Sequence, residues 1–125
     1  MQATAVWAHM HLIGKEVKVW AELPDGRTER LLWINDWDFN WQDTYLFDEP
    51  IFLPARTVIR SEWRYDNTAD NPNNPDPDMW VMGGSRTGDE MTHAWLAITQ
   101  LDDEGYERLV AERKEKEERA LAGND

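Results

Sequence analysis

Two histidines separated by one residue, His9 and His11, are the side chains of this sequence best placed by type and spacing to do chemistry. In a β-strand, residues i and i+2 project from the same face, which brings both imidazoles within reach of one metal ion. The flanking residues 5–8 and 12–13 are apolar, and two polar imidazoles in such a segment favour a specific role for them, such as metal binding. His-x-His alone is a weak pattern, because two half-exposed polar side chains on a solvent-facing strand have the same sequence.

Met91, at the start of a predicted strand over residues 90–101, is the second candidate ligand. A methionine usually fills a gap in a core. It becomes a candidate ligand if the first and last strands are neighbours or face each other, because a thioether beside two imidazoles favours Cu(I) over zinc. His93 shares the face of Met91, and its role stays open between a partner of a ligand, a substrate contact, a further ligand and an ordinary hydrogen-bonded side chain.

These residues are carried by segments whose apolar and polar positions alternate, as in half-buried strands. Predicted strands cover residues 4–23 as one or two strands, 31–34 after a turn at 24–26, 49–53, 57–65 and 90–101. Alternation over residues 37–41 predicts an extended segment with three aromatic side chains on one face. Residues 66–78 hold three prolines among Asp and Asn residues and predict a long ordered loop.

The predicted fold is all-β, an antiparallel β-sandwich or jelly roll over residues 1–101, followed by a short C-terminal helix. Residues 102–125 predict this charged helix or tail, because acidic and basic side chains recur four residues apart with the acid first. Beyond Val110 the segment is nearly all charged. A solvated tail is the simpler interpretation, and pairing of helices in a homo-oligomer is the alternative.

Composition excludes several classes of function. The 125 residues carry a formal net charge of −12, which opposes binding to nucleic acid or to an anionic membrane surface. No stretch approaches the roughly 20 apolar residues of a membrane span, and the first residues do not form a signal peptide. There is no cysteine, so disulfides, thiolate nucleophiles, iron–sulfur clusters and cysteine zinc sites are excluded.

Four blocks of the sequence, in order, resemble one known family. The blocks are residues 9–16 (HMHLIGKE), 34–42 (INDWDFNWQ), 65–72 (YDNTADNP) and 89–91 (DEM). They are similar to the C-terminal catalytic domain of the copper type II, ascorbate-dependent monooxygenases, which include peptidylglycine α-hydroxylating monooxygenase and dopamine β-monooxygenase. The likeness is greatest to the bacterial members. Four collinear blocks are more specific than any one of them.

The resemblance implies a jelly-roll domain that binds one copper through His9, His11 and Met91. In the family, dioxygen binds at this copper and a substrate C–H bond is attacked there. It further implies an external electron donor, such as ascorbate or a redox domain, as a partner. By analogy the location is periplasmic or extracellular, although this chain shows no export signal.

Departures from the family leave open whether the chain is an enzyme. The family's hydroxylases store an electron on a second copper, which three histidines of a separate domain bind, and only His93 is left over here. The peptide-hydroxylating members hold a substrate carboxylate with Arg, Asn and Tyr at the positions of Trp7, His93 and Trp95. A peptide ending in glycine is therefore not the expected substrate. The family's disulfide cysteines are also missing.

Two alternatives remain at this stage. The chain is a non-catalytic β-sandwich module that binds a glycan or a protein through aromatic side chains, in which case the histidines are incidental. The aromatic residues in question are Trp37, Phe39, Trp41, Trp63 and Trp80. Otherwise the metal is zinc, held by His9, His11, His93 and a carboxylate.

Overall fold

The computed structural model describes residues 1–123 and contains six β-strands and one helix. The strands are β1 (Gln2–Met10), β2 (Gly14–Glu22), β3 (Thr28–Ile34), β4 (Thr44–Phe52), β5 (Val58–Tyr65) and β6 (Thr92–Thr99), and the helix is α1 (Asp103–Ala122).

The strands form two antiparallel sheets of three strands each. The front sheet has the order β4-β1-β6 and the back sheet the order β3-β2-β5, so β1 and β2 are the central strands. In the front sheet Trp7 lies opposite Trp95 and His9 lies opposite His93. The first and last strands of the chain are therefore neighbours, which is the condition under which Met91 becomes a candidate ligand.

The core lies between the two sheets and follows from alternation along the central strands. Val6, Ala8 and Met10 of β1 are at most 2% exposed, and Val17 and Val19 of β2 are at most 1% exposed. All five belong to one buried cluster, which also takes in residues of β3. Burying a side chain of this size stabilises the fold by about 1.5–3 kcal/mol, so these alternating positions hold the sheets together.

The structure confirms a mostly β fold of two facing sheets with a C-terminal helix. The predicted strands over 4–23, 31–34, 49–53, 57–65 and 90–101 correspond to β1 to β6, and residues 66–78 form a loop as expected. The prediction for residues 37–41 was wrong. There the chain turns, because Asp38 accepts hydrogen bonds from the backbone N–H of Asn40 and Trp41, and it buries Trp37 while leaving Trp41 68% exposed.

The chain crosses from the front sheet to the back sheet through only residues 11–13. The backbone N–H of Gly14 donates to the carbonyl of His11 at 3.0 Å, which closes the turn. A Cβ atom on Gly14 would lie 2.9 Å from Met10 Cβ and 3.0 Å from Trp37 Cδ1. The tight crossover thus requires glycine, and it places His11 directly after β1.

Helix α1 folds back on β4. Asp102 caps the helix by accepting a hydrogen bond from the backbone N–H of Gly105, at 2.7 Å. Tyr106 stacks on Phe52 with ring centroids 4.5 Å apart, and Arg113 donates to the carbonyl of Pro50. The first half of the helix is thereby attached to the front sheet. Among the described residues, no helix is long and apolar enough to cross a membrane.

We expect Gly14→Ala to lower the free energy of unfolding by about 1–3 kcal/mol, because the new methyl group meets core atoms that cannot move away. Gly83→Ala is the matched control, since its Cβ would find no atom closer than 3.9 Å. Urea unfolding followed by circular dichroism measures both variants. Equal free energies of unfolding for Gly14→Ala and Gly83→Ala would contradict the conclusion that the crossover requires glycine at position 14.

Candidate metal centre

His9 and His11 lie together at the end of β1, as their spacing predicts. Their ring centroids are 5.0 Å apart and the rings are nearly perpendicular, at 84°. His9 is half-buried on the outer face of the front sheet, and His11 is only 5% exposed. Phe39 approaches His11 edge-on, with centroids 6.5 Å apart, and covers it from the loop after β3.

The orientation of the His9 ring is set by Gln42. The side-chain N–H of Gln42 donates to the carbonyl of Phe39 at 2.7 Å, so its amide oxygen must point the other way. That oxygen lies 2.6 Å from His9 Nδ1. Because a carbonyl oxygen only accepts, Nδ1 carries the proton, and the lone pair of the neutral ring is on Nε2.

His11 is oriented by the loop before β6. Its Nδ1 lies 3.0 Å from the backbone carbonyl of Asp89, which likewise only accepts. The same loop is bonded to the crossover a second time, because the backbone N–H of Leu12 donates to the carbonyl of Thr87 at 3.2 Å. In its neutral form each imidazole therefore has its lone pair on Nε2, the atom through which such a histidine binds metals.

The loop that holds His11 is itself fixed by an ion pair. The Asp89 carboxylate accepts hydrogen bonds from the backbone N–H of Arg86 at 3.0 Å and from its guanidinium at 2.8 Å. These hydrogen bonds hold the pKa of the Asp89 carboxyl below its usual value. A Cβ on Gly84 would lie 2.4 Å from Asp89 Oδ2, so only glycine allows this approach.

Met91 lies at the same end of the sheet as the two histidines. Thr92 pairs with Met10 and His93 with His9, and Met91 directly precedes Thr92, so it lies at the end of the β1–β6 ladder where β1 ends. The Met91 side chain is partly buried. The fold thus places the Met91 backbone and the two histidines at one corner of the front sheet.

His93, Trp7 and Trp95 form a row of rings beside this corner. The indoles of Trp7 and Trp95 are stacked, with centroids 4.2 Å apart. His93 lies between Trp95, at 4.9 Å, and His9, at 6.1 Å, and its side chain is exposed. These contacts place all three residues next to the candidate ligands.

The aromatic residues of the binding-module hypothesis do not form one platform. Trp37 is 5% exposed and belongs to the core, and Trp63 packs against that core. Trp41 and Trp80 are exposed, at 68% and 87%. Phe39 covers His11 instead. A ligand that stacks on all five side chains at once is therefore excluded.

Sequence reasoning missed Gln42, Arg86 and Asp89 as the residues that orient the imidazoles. The signal for Gln42 lay in its block of the family resemblance, residues 34–42, whereas the Asp89 contact uses a backbone carbonyl and leaves no trace in residue type. Over residues 1–123, no three His, Asp or Glu side chains come together in an arrangement that could hold a metal ion. The candidate set here contains two imidazoles and a thioether.

Comparison of the chain with protein-family models, with curated proteins and with solved structures gives no match. The site is therefore interpreted from its own geometry.

We expect the neutral forms of His9 and His11 to carry their proton on Nδ1, which long-range ¹H–¹⁵N correlation spectra detect directly. Gln42→Leu removes the acceptor of His9 only, so the His9 ring should lose this tautomer preference while His11 keeps it. His11 is the internal control. Nε2–H signals for both rings in the parent protein would show that the described hydrogen bonds are wrong.

Proposed function

We propose that this chain is a copper-binding domain similar to the oxygen-binding half of the ascorbate-dependent copper monooxygenases, with His9, His11 and Met91 as ligands. The proposal includes the jelly-roll topology of that family as the finer description of the two sheets. The observation that carries it is the pair of Nδ1 hydrogen bonds on two neighbouring imidazoles, which leave the lone pair of each neutral ring on Nε2.

The donor set supports copper by its chemistry. Two neutral nitrogens and a thioether sulfur are soft ligands without charge, and such sets favour Cu(I) over zinc, magnesium or calcium. In support, Met91 directly precedes Thr92, which pairs with Met10 between the two histidines. When bound, copper would supply one-electron redox chemistry toward dioxygen at this corner.

The protein's own residues perform three tasks in this proposal. Gln42 and the Asp89 carbonyl keep the imidazoles aimed, so no ring has to reorient when metal binds. Phe39 shields His11 on the loop side. The exposed His93 and Trp95 leave the outer side of the corner open to a small molecule. We include dioxygen and an external electron donor as partners, since the sequence has one further histidine only.

We expect the parent protein to bind Cu(I) tightly in competition with a chromophoric chelator, and His9→Ala to weaken binding more than about a hundredfold. Gln42→Leu, which removes only an orienting contact, should cost about ten- to a hundredfold. Met91→Ala should abolish the sulfur scattering in the copper X-ray absorption spectrum. This readout does not depend on enzymatic activity.

Met82→Ala is the matched control for Met91, because Met82 is a 69% exposed thioether in the same loop region. It should leave both the affinity and the spectrum unchanged. If His9→Ala and Met91→Ala bind Cu(I) with the affinity of the parent protein, the proposal is wrong.

The zinc hypothesis makes the opposite prediction for two variants. If zinc is the metal, His93→Ala lowers the affinity and Met91→Ala does not, because zinc sites are built from nitrogen, thiolate and carboxylate ligands. The distance of 6.1 Å between the His9 and His93 ring centroids in a nearly parallel arrangement, at 24°, favours neighbouring side chains over ligands that converge on one ion.

A further inference from the structure

Three alternate positions of β1 and the positions directly opposite them carry no charged side chain. This surface, the front-face patch, consists of the outward residues of β1 and the residues directly opposite them: Ala5, Trp7, His9, Thr44, Leu46, His93, Trp95 and Ala97. Charged residues make up 30% of the whole chain, so their exclusion from a strand face of this extent is unusual.

The back sheet shows what an ordinary outer face of this protein contains. There Lys18 bridges Glu16 and Glu62, Arg60 pairs with Glu22, and Arg64 pairs with Glu16. Trp33 is the exposed indole of that face, and it lies beneath the cations of Lys18 and Arg30. The back sheet thus carries a solvated ionic network, whereas the front-face patch is uncharged and the charged residues Asp48 and Glu49 of β4 lie outside it.

The front-face patch is open to ligands although it is apolar. Leu46 is 79% exposed and Trp95 is 45% exposed, and the stacked indoles of Trp7 and Trp95 form its centre. His9 follows Trp7 by two residues, which is about 7 Å along a strand. A ring that rests on the indoles therefore places a substituent at the candidate metal centre.

The size of the patch favours a small molecule over a protein. Three strands about 4.8 Å apart and the rise from residue 5 to residue 9 give a footprint of roughly 130 Å² of backbone, whereas a stable protein interface needs about 800 Å² per partner. Helix α1 already occupies the adjoining part of the front sheet, where Tyr106 covers Phe52. The absence of Lys and Arg leaves a carboxylate ligand without a partner.

We propose that the front-face patch binds an uncharged, ring-bearing small molecule, and that this is the class of substrate held beside the candidate copper. The inference rests on the proposed function for its reference to copper. The binding surface itself consists of residues that are present with or without metal, so the two proposals can fail separately.

The test titrates three probes that share a phenyl ring into the copper-free protein: 2-phenylethanol, 3-phenylpropionate and 2-phenylethylamine. Indole N–H signals in ¹H–¹⁵N spectra report on each tryptophan. We expect 2-phenylethanol to shift the signals of Trp7 and Trp95 and to bind at least about tenfold more tightly than either charged probe, because the patch offers no counter-charge. Equal or tighter binding of a charged probe would overturn the proposal.

Trp95→Ala should weaken binding of 2-phenylethanol by about tenfold, because it removes one face of the stacking surface. Trp33→Ala is the matched control, being a similarly exposed indole, at 48%, on the back sheet, and it should have no effect. Leu46 is 79% exposed, so Leu46→Lys adds a charge to the patch without opening a cavity in the core. It should also weaken binding of 2-phenylethanol. Parent-like binding by Trp95→Ala and Leu46→Lys contradicts the proposal.

Two further outcomes separate the hypotheses. Probe binding to the front-face patch by a protein that does not bind Cu(I) would leave this inference standing as a binding surface and remove the proposed function. Self-association of the parent in sedimentation velocity, lost in Leu46→Lys, would show that a second copy covers the patch and would overturn the small-molecule proposal.

Discussion

Strand β1 packs the core with one side and carries the candidate metal centre on the other. Val6, Ala8 and Met10 are buried between the sheets, while Trp7 and His9 point outward. Because side chains alternate strictly along a strand, a shift of one residue in register would expose the core positions and bury the imidazole. Burial of the core residues therefore also determines that His9 lies on the outer face, and no further interaction is needed to place it there.

The orientation of His11 depends on the loop before β6, and the alternation of side chains along a strand plays no part in it. This loop reaches over the crossover after β1 and presents the Asp89 carbonyl to His11, and Arg86 and Gly84 hold it in shape. The orientation of His9 depends instead on Gln42, whose side-chain N–H donates a hydrogen bond to the carbonyl of Phe39 and whose amide oxygen therefore faces His9. Two independent segments thus orient the two imidazoles, each through its Nδ1.

The candidate ligands and the front-face patch share β1 and β6 or directly adjoin them, and this explains why the tryptophan pair lies near His9. Trp7, His93 and Trp95 stand at the positions where peptide-hydroxylating members of the resembling family hold a substrate carboxylate, and the structure shows these side chains as a row of neighbouring aromatic rings. An aromatic surface binds by dispersion and desolvation, and a guanidinium clamp binds by charge-assisted hydrogen bonds. The aromatic row therefore lacks the charge-assisted hydrogen bonds of such a clamp.

The sequence alone determined the strands with clear alternation, the turn at residues 24–26, the loop over residues 66–78 and the helix that Asp102 caps, because these depend on neighbours within a few residues. Its His-x-His spacing also predicted that His9 and His11 lie close together, and their ring centroids are 5.0 Å apart. Only the tertiary structure decided that β1 pairs with β6, which brings Met91 to the histidines, and that Trp37 is buried in the core while Trp41 is exposed. Contacts between distant segments, above all a backbone carbonyl such as that of Asp89, depend on register and loop path, and these leave no mark on local residue patterns.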